Sequence, residues 1–201
     1  RADCLMGERI IVALSGGVDS AVTALLLRRA GREVQGLFMH NWEDDEQAYC
    51  TAAQDFQDAR RVAAELGIPL HSVDLSREYR ERVFAHFLDE YRAGRTPNPD
   101  IACNREIKFG DCLLHAQRLG GSLLATGHYA RLETGPDGPE LHRAADADKD
   151  QTYLLHEVPR ARFAQAAFPL GDLIKDEVRE LAREAGLPVH DKRDSTGICF
   201  I

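Results

Sequence analysis

The chain contains no apolar run near the roughly 20 residues that a membrane-spanning helix needs, so no span is expected. Its first residues, "RADCLMGERI", lack the apolar core of a secretion signal, which makes cytoplasm the expected compartment. The absence of any Cys-x-x-Cys pair argues against a zinc ribbon. The five cysteines (Cys4, Cys50, Cys103, Cys112 and Cys199) are odd in number and far apart, unlike a secreted disulfide framework. Positive charge is also in short supply. Lys and Arg number 25 against 33 Asp and Glu, a formal net charge of -8, and charge alone argues against a nucleic-acid binder. What is present, 201 residues with 44% hydrophobic and 29% charged content, suffices for one sizeable α/β domain with a real core.

Two kinds of segment alternate. Residues 9–14, 33–39, 69–75 and 122–127 are short runs of apolar β-formers, read as buried strands. Between them, Ala52, Phe56, Ala59, Ala63 and Leu66 recur at helical spacing, with Gly67 placed to end the helix. Residues 77–92 carry a second stripe, and 105–119 a third with weaker periodicity. Strand–helix alternation predicts an α/β fold, a parallel sheet with helices on both faces. The two prolines of "AGRTPNPDIACN" (93–104) predict a loop, and "ETGPDGPE" (133–140) a hairpin tip. The expected organisation is an extension at 1–8, a main domain at 9–170, and a helix opening a further domain at 171–201.

The stretch "IIVALSGGVDSAVTALLLRRAG" (10–31) runs from an apolar strand through Ser-Gly-Gly-Val-Asp-Ser into an Ala/Leu-rich helix. A helix starting at a strand's C-terminal end points backbone N–H groups and partial positive charge at the ligand edge of the sheet. Gly16 and Gly17 let the turn tighten and let phosphate oxygens approach the backbone, while Ser15 and Ser20 offer hydroxyls. Asp19 would repel a bare phosphate, so its expected role is Mg²⁺ ligand or helix cap. The lysine of a Walker A loop is missing. The competing reading is a plain Gly/Ser turn; the strand before it and the helix after it favour a phosphate site.

"SGGVDS" resembles the PP-loop of the ATP pyrophosphatase superfamily. Together with "GLFMHNWEDD", "CTAAQDFQDA", "AGRTPNPDIACNREIKFG", "ATGHYAR", "DKDQTYLL" and "DSTGICFI", it is similar to the bacterial tRNA-specific 2-thiouridylases, from about residue 9 to the end. The resemblance implies a Rossmann-like sheet, 9–170 as a nucleotide-binding catalytic domain, and ATP and Mg²⁺ as cofactors. It also implies a tRNA with uridine at the wobble position and a sulfur-relay donor protein as partners, with no membrane. Ala13, Leu14, Ser15, Gly16, Gly17, Val18, Asp19 and Ser20 would hold ATP, and Met39 and Gly127 would line the adenosine pocket. Asn98, Pro99 and Asp100 would face the target base; His128, Lys149, Asp150 and Gln151 would contact the tRNA; Cys103 and Cys199 would carry sulfur, with Asp100 beside them as a catalytic group.

Chemistry supports that scheme independently. The C2 oxygen of uridine leaves poorly unless adenylated, and a persulfide releases its terminal sulfur when a second thiol attacks the bridging one. Two cysteines must therefore meet. Each residue has a blander competitor: Cys103 as a buried small hydrophobe, Cys199 as a strand residue, His128 as a satisfied core histidine, Asp100 as a cap, Lys149 as a solvated lysine. Cys112 shares an apolar helix face and is read as core. Against the acidic balance, Arg95, Arg105, Lys108, Arg131, Lys149, Lys192 and Arg193 in the site loops are the expected basic surface. Two other functions stay open at this stage, a PP-loop ligase acting on a small molecule and a non-enzymatic ATP-binding module.

Overall fold

The computed structural model describes residues 8–42 and 52–194. Strands β1 (Arg9–Ala13), β2 (Glu33–His40), β3 (Leu70–Asp74), β4 (Leu123–Ala125) and β7 (Ala166–Ala167) form one sheet in the order β3-β2-β1-β4-β7. Every pairing in it is parallel. The register sets Val12 beside both Gly36 and Ala125, so β1 is the middle strand and is covered on both faces. That burial is why the strands read as continuous apolar runs rather than alternating ones.

The two faces carry separate cores. Ile10, Val12 and Leu14 point to one side, against α1 (Val18–Arg29), α2 (Ala52–Leu66) and α8 (Lys175–Glu184). Ile11 and Ala13 point to the other, against Tyr79, Val83, Ile107, Phe109 and Phe168. Helices on both faces of a parallel sheet are what the sequence pattern predicts. The hairpin is also as expected: β5 (Ala130–Gly135) pairs antiparallel with β6 (Gly138–Arg143).

One expectation needs correction. The segment 93–104 is not all loop. Asn98 Oδ1 accepts the Asp100 N–H at 3.0 Å as an N-cap, Pro99 takes the first helical position, and α5 (Pro99–Cys103) begins there. It runs on through a π-type stretch, Asn104–Cys112, into α6 (Leu113–Arg118). The wider turns explain the weak 3.6-residue periodicity of this region. The Arg105 carbonyl within that stretch accepts from Arg162 Nη1 at 2.7 Å. A similar π-type stretch, Arg80–Phe84, joins α3 (Ser76–Tyr79) to α4 (Ala85–Arg92).

The helix expected after residue 170 is present as α8. Val178, Ala182, Leu187 and Val189 lie in the same core cluster as Val12, Val22 and Leu25, so α8 is packed into the first domain. Among the described residues, no helix is long and apolar enough to cross a membrane. Leu187 is fully buried, and Leu187→Ala is expected to cost about 3 kcal/mol. Urea denaturation should show it lowering a single cooperative transition; an early, separate transition would mark α8 as an independent unit.

Candidate functional site

The sheet order reverses at β1, whose chain crossovers leave towards β2 on one side and whose other neighbour is β4. The crevice at the C-terminal ends of β1 and β4 is therefore the topological switch point, where ligands bind in such sheets. The loop Leu14 to Gly17 lies there. The Leu14 amide still donates to the Leu37 carbonyl at 3.0 Å, and the chain then turns at Gly16 with φ +78°. A Cβ on Gly16 would stand 2.2 Å from the Asp55 carbonyl oxygen of α2, so no other residue fits. Gly17 differs: its φ is -94° and a Cβ there would meet only Ser15 Oγ, at 3.6 Å. Gly16 makes the turn, and Gly17 leaves open space in front of it.

The hydroxyls tie the loop to itself. Ser20 Oγ accepts the Ser15 N–H at 3.1 Å, donates to the Gly17 carbonyl at 3.0 Å and lies 3.2 Å from Ser15 Oγ. The first amides of α1 have no intrahelical acceptor and face the crevice with the positive end of a 12-residue helix. Gly127, just after β4, packs on that same first turn; a Cβ there would sit 2.9 Å from the Ser20 nitrogen. Met39, near the end of β2, packs against the second core.

Asp19 neither caps α1 nor stands free. Its Oδ1 accepts from Tyr129 Oη at 2.9 Å and from Lys175 Nζ at 2.7 Å, and its Oδ2 from the same Lys175 Nζ at 2.9 Å. Three of about four lone-pair positions are thus filled. An ammonium already occupies the place where a divalent cation would bind, so the residues do not fit Mg²⁺ at Asp19. Burial and the neighbouring Asp19 carboxylate push the Tyr129 phenol well up, so it stays a donor. Lys175 reaches on to Asp194 at 2.8 Å, and Asp194 also accepts from Lys149 (2.9 Å) and Arg179 (2.8 Å).

The "DKDQ" residues work inside this network. Lys149 is spent on Asp194. Asp150 accepts from the Ala144 N–H at 2.9 Å and the Thr152 hydroxyl at 2.7 Å. Gln151 Oε1 accepts the Tyr129 N–H at 3.0 Å, and the Gln151 N–H donates to the Tyr129 carbonyl at 2.9 Å. His128 is 6% exposed, shares a hydrogen bond with Thr126 Oγ1 at 2.7 Å and lies among Phe109 and Phe168. Burial holds it neutral, well below the usual histidine range, with Lys108 adding to the effect. His128 thus has the surroundings of a satisfied core histidine, with almost no surface exposed.

Asn98 caps α5, Pro99 is buried in its first turn and Asp100 is half-buried beside it. Cys103 is 2% exposed, in the fifth position of α5 and part of the second core, not in an irregular loop. Cys112 is fully buried, and burial pushes its thiol up to about 12, as expected of a core residue. Cys199, Cys4 and Cys50 lie outside the described residues.

The expected basic surface is largely neutralised. Arg95 pairs with Glu90, Arg105 with Glu106 and Glu157, Arg131 with Asp172, Lys149 with Asp194, and Lys192 with Asp55 and Asp58. Sequence reasoning missed Lys175, Tyr129, Asp55 and Asp58 as site residues. Lys175 carried one signal: a cation in the first turn of a helix opposes the macrodipole, and needs a reason to be there.

The sheet order and the loop define a parallel α/β domain with its candidate site at the switch point. The tRNA methyl transferase HUP domain family matches residues 8–201, and the chain belongs to that family. It is 58% identical to the tRNA-specific 2-thiouridylase MnmA of Hahella chejuensis, over 96% of this chain and 54% of that one. To the namesake of Methylobacillus flagellatus it is 56% identical, over 98% and 55%. The chain spans about half the length of these curated relatives. Among solved structures it resembles a 4-thiouridine synthetase–RNA complex with bound ATP, with TM-score 0.63 and 18% identity, covering 96% of this chain and 45% of that one. It also resembles the U34-tRNA thiolase NcsA of Methanococcus maripaludis, with TM-score 0.59 and 20% identity, covering 98% and 63%. At such identities these structures speak for the fold.

Asp194 gives the network a pH signature. Burial alone would raise its pKa, but the hydrogen bonds from Lys175 and Lys149 prevail and bring it from 3.8 to about 2. The folded value is depressed, so this stabilisation is complete above the unfolded value and is lost as pH falls towards 2. Thermal unfolding of Asp194→Asn should differ most from the parent above pH 4 and converge with it near pH 2. A constant difference down to pH 2 would mean the carboxylate is not paired in solution.

Proposed function

We propose that this chain is the ATP-binding catalytic portion of a tRNA 2-thiouridylase. The loop carries the proposal: a strand-to-helix turn at the switch point, closed by Gly16, left open at Gly17 and crowned by free helix amides. Backbone amides of Gly17 to Ser20 would hold the pyrophosphate end of ATP, with Met39 and Gly127 on the adenosine side. The C2 oxygen of the wobble uridine attacks the α-phosphorus and pyrophosphate leaves. The terminal sulfur of a cysteine persulfide then attacks C2, and AMP leaves with the former oxygen. A second thiolate attacks the bridging sulfur, which frees the thiocarbonyl and leaves a disulfide.

In this scheme Cys199 carries the persulfide and Cys103 is the second thiol, with Asn98, Pro99 and Asp100 on the base side. The persulfide sulfur comes from a relay protein. Asp19 serves Lys175 and Tyr129 rather than a metal, and Asp150 and Gln151 act by holding Tyr129 and the chain around it. Identity of 58% to a tRNA-specific 2-thiouridylase supports the choice of uridine over a small-molecule substrate.

The experiment is an assay of the full-length enzyme with ATP, a sulfur donor and unmodified tRNA, followed by nucleoside mass analysis. 2-Thiouridine with release of AMP and pyrophosphate is the expected result; adenylation of a small molecule instead would replace the reading. Gly17→Val should fold, because a Cβ there meets only Ser15 Oγ, yet lose ATP binding by calorimetry. Unchanged ATP affinity would reduce the loop to a turn. For the thiols, Cys199→Ser should adenylate without transferring protein-bound sulfur, and Cys103→Ser should load sulfur without delivering it. Mass spectrometry after one turnover without reductant should find a Cys103–Cys199 disulfide. Full thiolation by either variant, or a disulfide through Cys112, would refute the assignment.

A further inference from the structure

Lys192 stands beside the phosphate loop without facing the open space in front of it. Its Nζ donates to the Gly16 carbonyl at 3.1 Å, to Asp55 Oδ1 at 2.6 Å and to Asp58 Oδ2. An ammonium has three donors, and all three are used. The side chain is 29% exposed, and its pKa is raised: burial pulls it down, but the bonds to Asp55 and Asp58 outweigh that. Asp58 is held below its usual range by the same pairing against its own burial, with help from Arg61 and Gln54.

The carbonyl that Lys192 grips is the one that matters for an anion. Across a planar trans peptide, the C=O of one residue and the N–H of the next point in opposite directions. Holding Gly16 O towards Lys192 therefore turns the Gly17 N–H away from it. Gly16 is also the residue with the positive φ, whose backbone lies against Asp55. A glycine in that position has little intrinsic preference for one peptide orientation. Something outside the loop must choose it, and of the loop's carbonyls the Gly17 one is already taken by Ser20 and Ala21. Among the described residues, Lys192 is the external group on Gly16 O.

We propose that Lys192 is a positioning residue of the ATP site: it fixes the Gly16–Gly17 peptide so that the Gly17 amide faces the phosphates. It does so from a segment anchored on both sides. Arg179 Nη1 of α8 donates to the Lys192 carbonyl at 3.1 Å, and two residues on Asp194 is held by Lys175, Lys149 and Arg179. The strap from Lys192 to Asp194 thus joins the phosphate loop to α8.

This inference rests on the proposed ATP site, and the test separates the two. Calorimetry on the full-length enzyme would use ATP, inorganic pyrophosphate and adenosine as probes, each at low and at high salt. Lys192→Met keeps the aliphatic stem and removes the donor. It should weaken ATP and pyrophosphate about tenfold or more at both salt concentrations, the scale of a hydrogen bond to a charged group, and leave adenosine within about twofold. Persistence at high salt is the signature of orientation, because a bare loss of charge would be screened. Unchanged pyrophosphate affinity, a deficit that disappears at high salt, or an equal loss of adenosine would each overturn the role of Lys192. If Lys192→Met fails to fold, Asp55→Asn is the second variant; it loosens the grip on Nζ and should weaken pyrophosphate but not adenosine, and equal binding of pyrophosphate by parent and variant would overturn the role. A parent enzyme that binds neither ATP nor pyrophosphate would instead overturn the ATP site itself.

Discussion

The carboxylate of Asp19 is the point on which the site's geometry depends. It sits in the first turn of the helix that follows the phosphate loop, and it is clamped by an ammonium and a phenol from residues 156 and 110 positions away. Lys175 is 10% exposed at its side chain, so neither it nor Asp19 is well solvated alone. A half-buried charge without its partner is strongly unfavourable, whereas the pair with added hydrogen bonds is tolerated. The arrangement therefore specifies position more than it adds stability. It locks α8, the turn after β4 and the start of α1 into one relative placement. From Tyr129 the constraint passes to Gln151, and from Lys175 to Asp194 and Lys149.

What the sequence revealed follows from the range of the forces involved. The turn at Gly16 and Gly17 was legible because strand, glycines and helix are contiguous. The sheet was legible because buried parallel strands leave unbroken apolar runs. The start of α5 was not, because Pro97 and Pro99 signal a loop locally, while the Asn98 cap turns the second proline into a helix start. The Asp19–Lys175 pair was invisible for another reason: no local pattern encodes which of many charged residues will meet across 156 positions. His128 shows the limit of motif-based placement. Its position in "ATGH" could be read, but its burial between Phe109 and Phe168 is a tertiary fact.

The charge balance takes a different meaning once the pairs are known. An excess of acids argued against a nucleic-acid partner, and the basic residues of the loops were the expected answer. Most of those residues instead neutralise carboxylates of the same chain, often over short distances such as Arg95 on Glu90. An exposed pair of this kind contributes little to stability, roughly 0–1 kcal/mol. Its larger effect is on the field outside, which it cancels. On the proposed function, this portion supplies little of the long-range attraction for a polyanion. It supplies instead fixed, oriented groups: helix amides, capped turns and a loop braced from behind.

Fixed groups and buried thiols ask for a sequence of events. Cys103 lies in a helix, 2% exposed, within the apolar core that also holds Ile107 and Phe109. A base approaching it cannot do so without displacing what covers that face. The Gly16–Gly17 loop, by contrast, stands at the open edge of the sheet and needs no such movement. On the proposed function, the nucleotide step is thus pre-organised and the sulfur step waits on a movement that uncovers Cys103. Separation of that kind suits the proposed chemistry, because a second thiol free to attack before the base is activated would discharge the persulfide as hydrosulfide, with its sulfur not transferred.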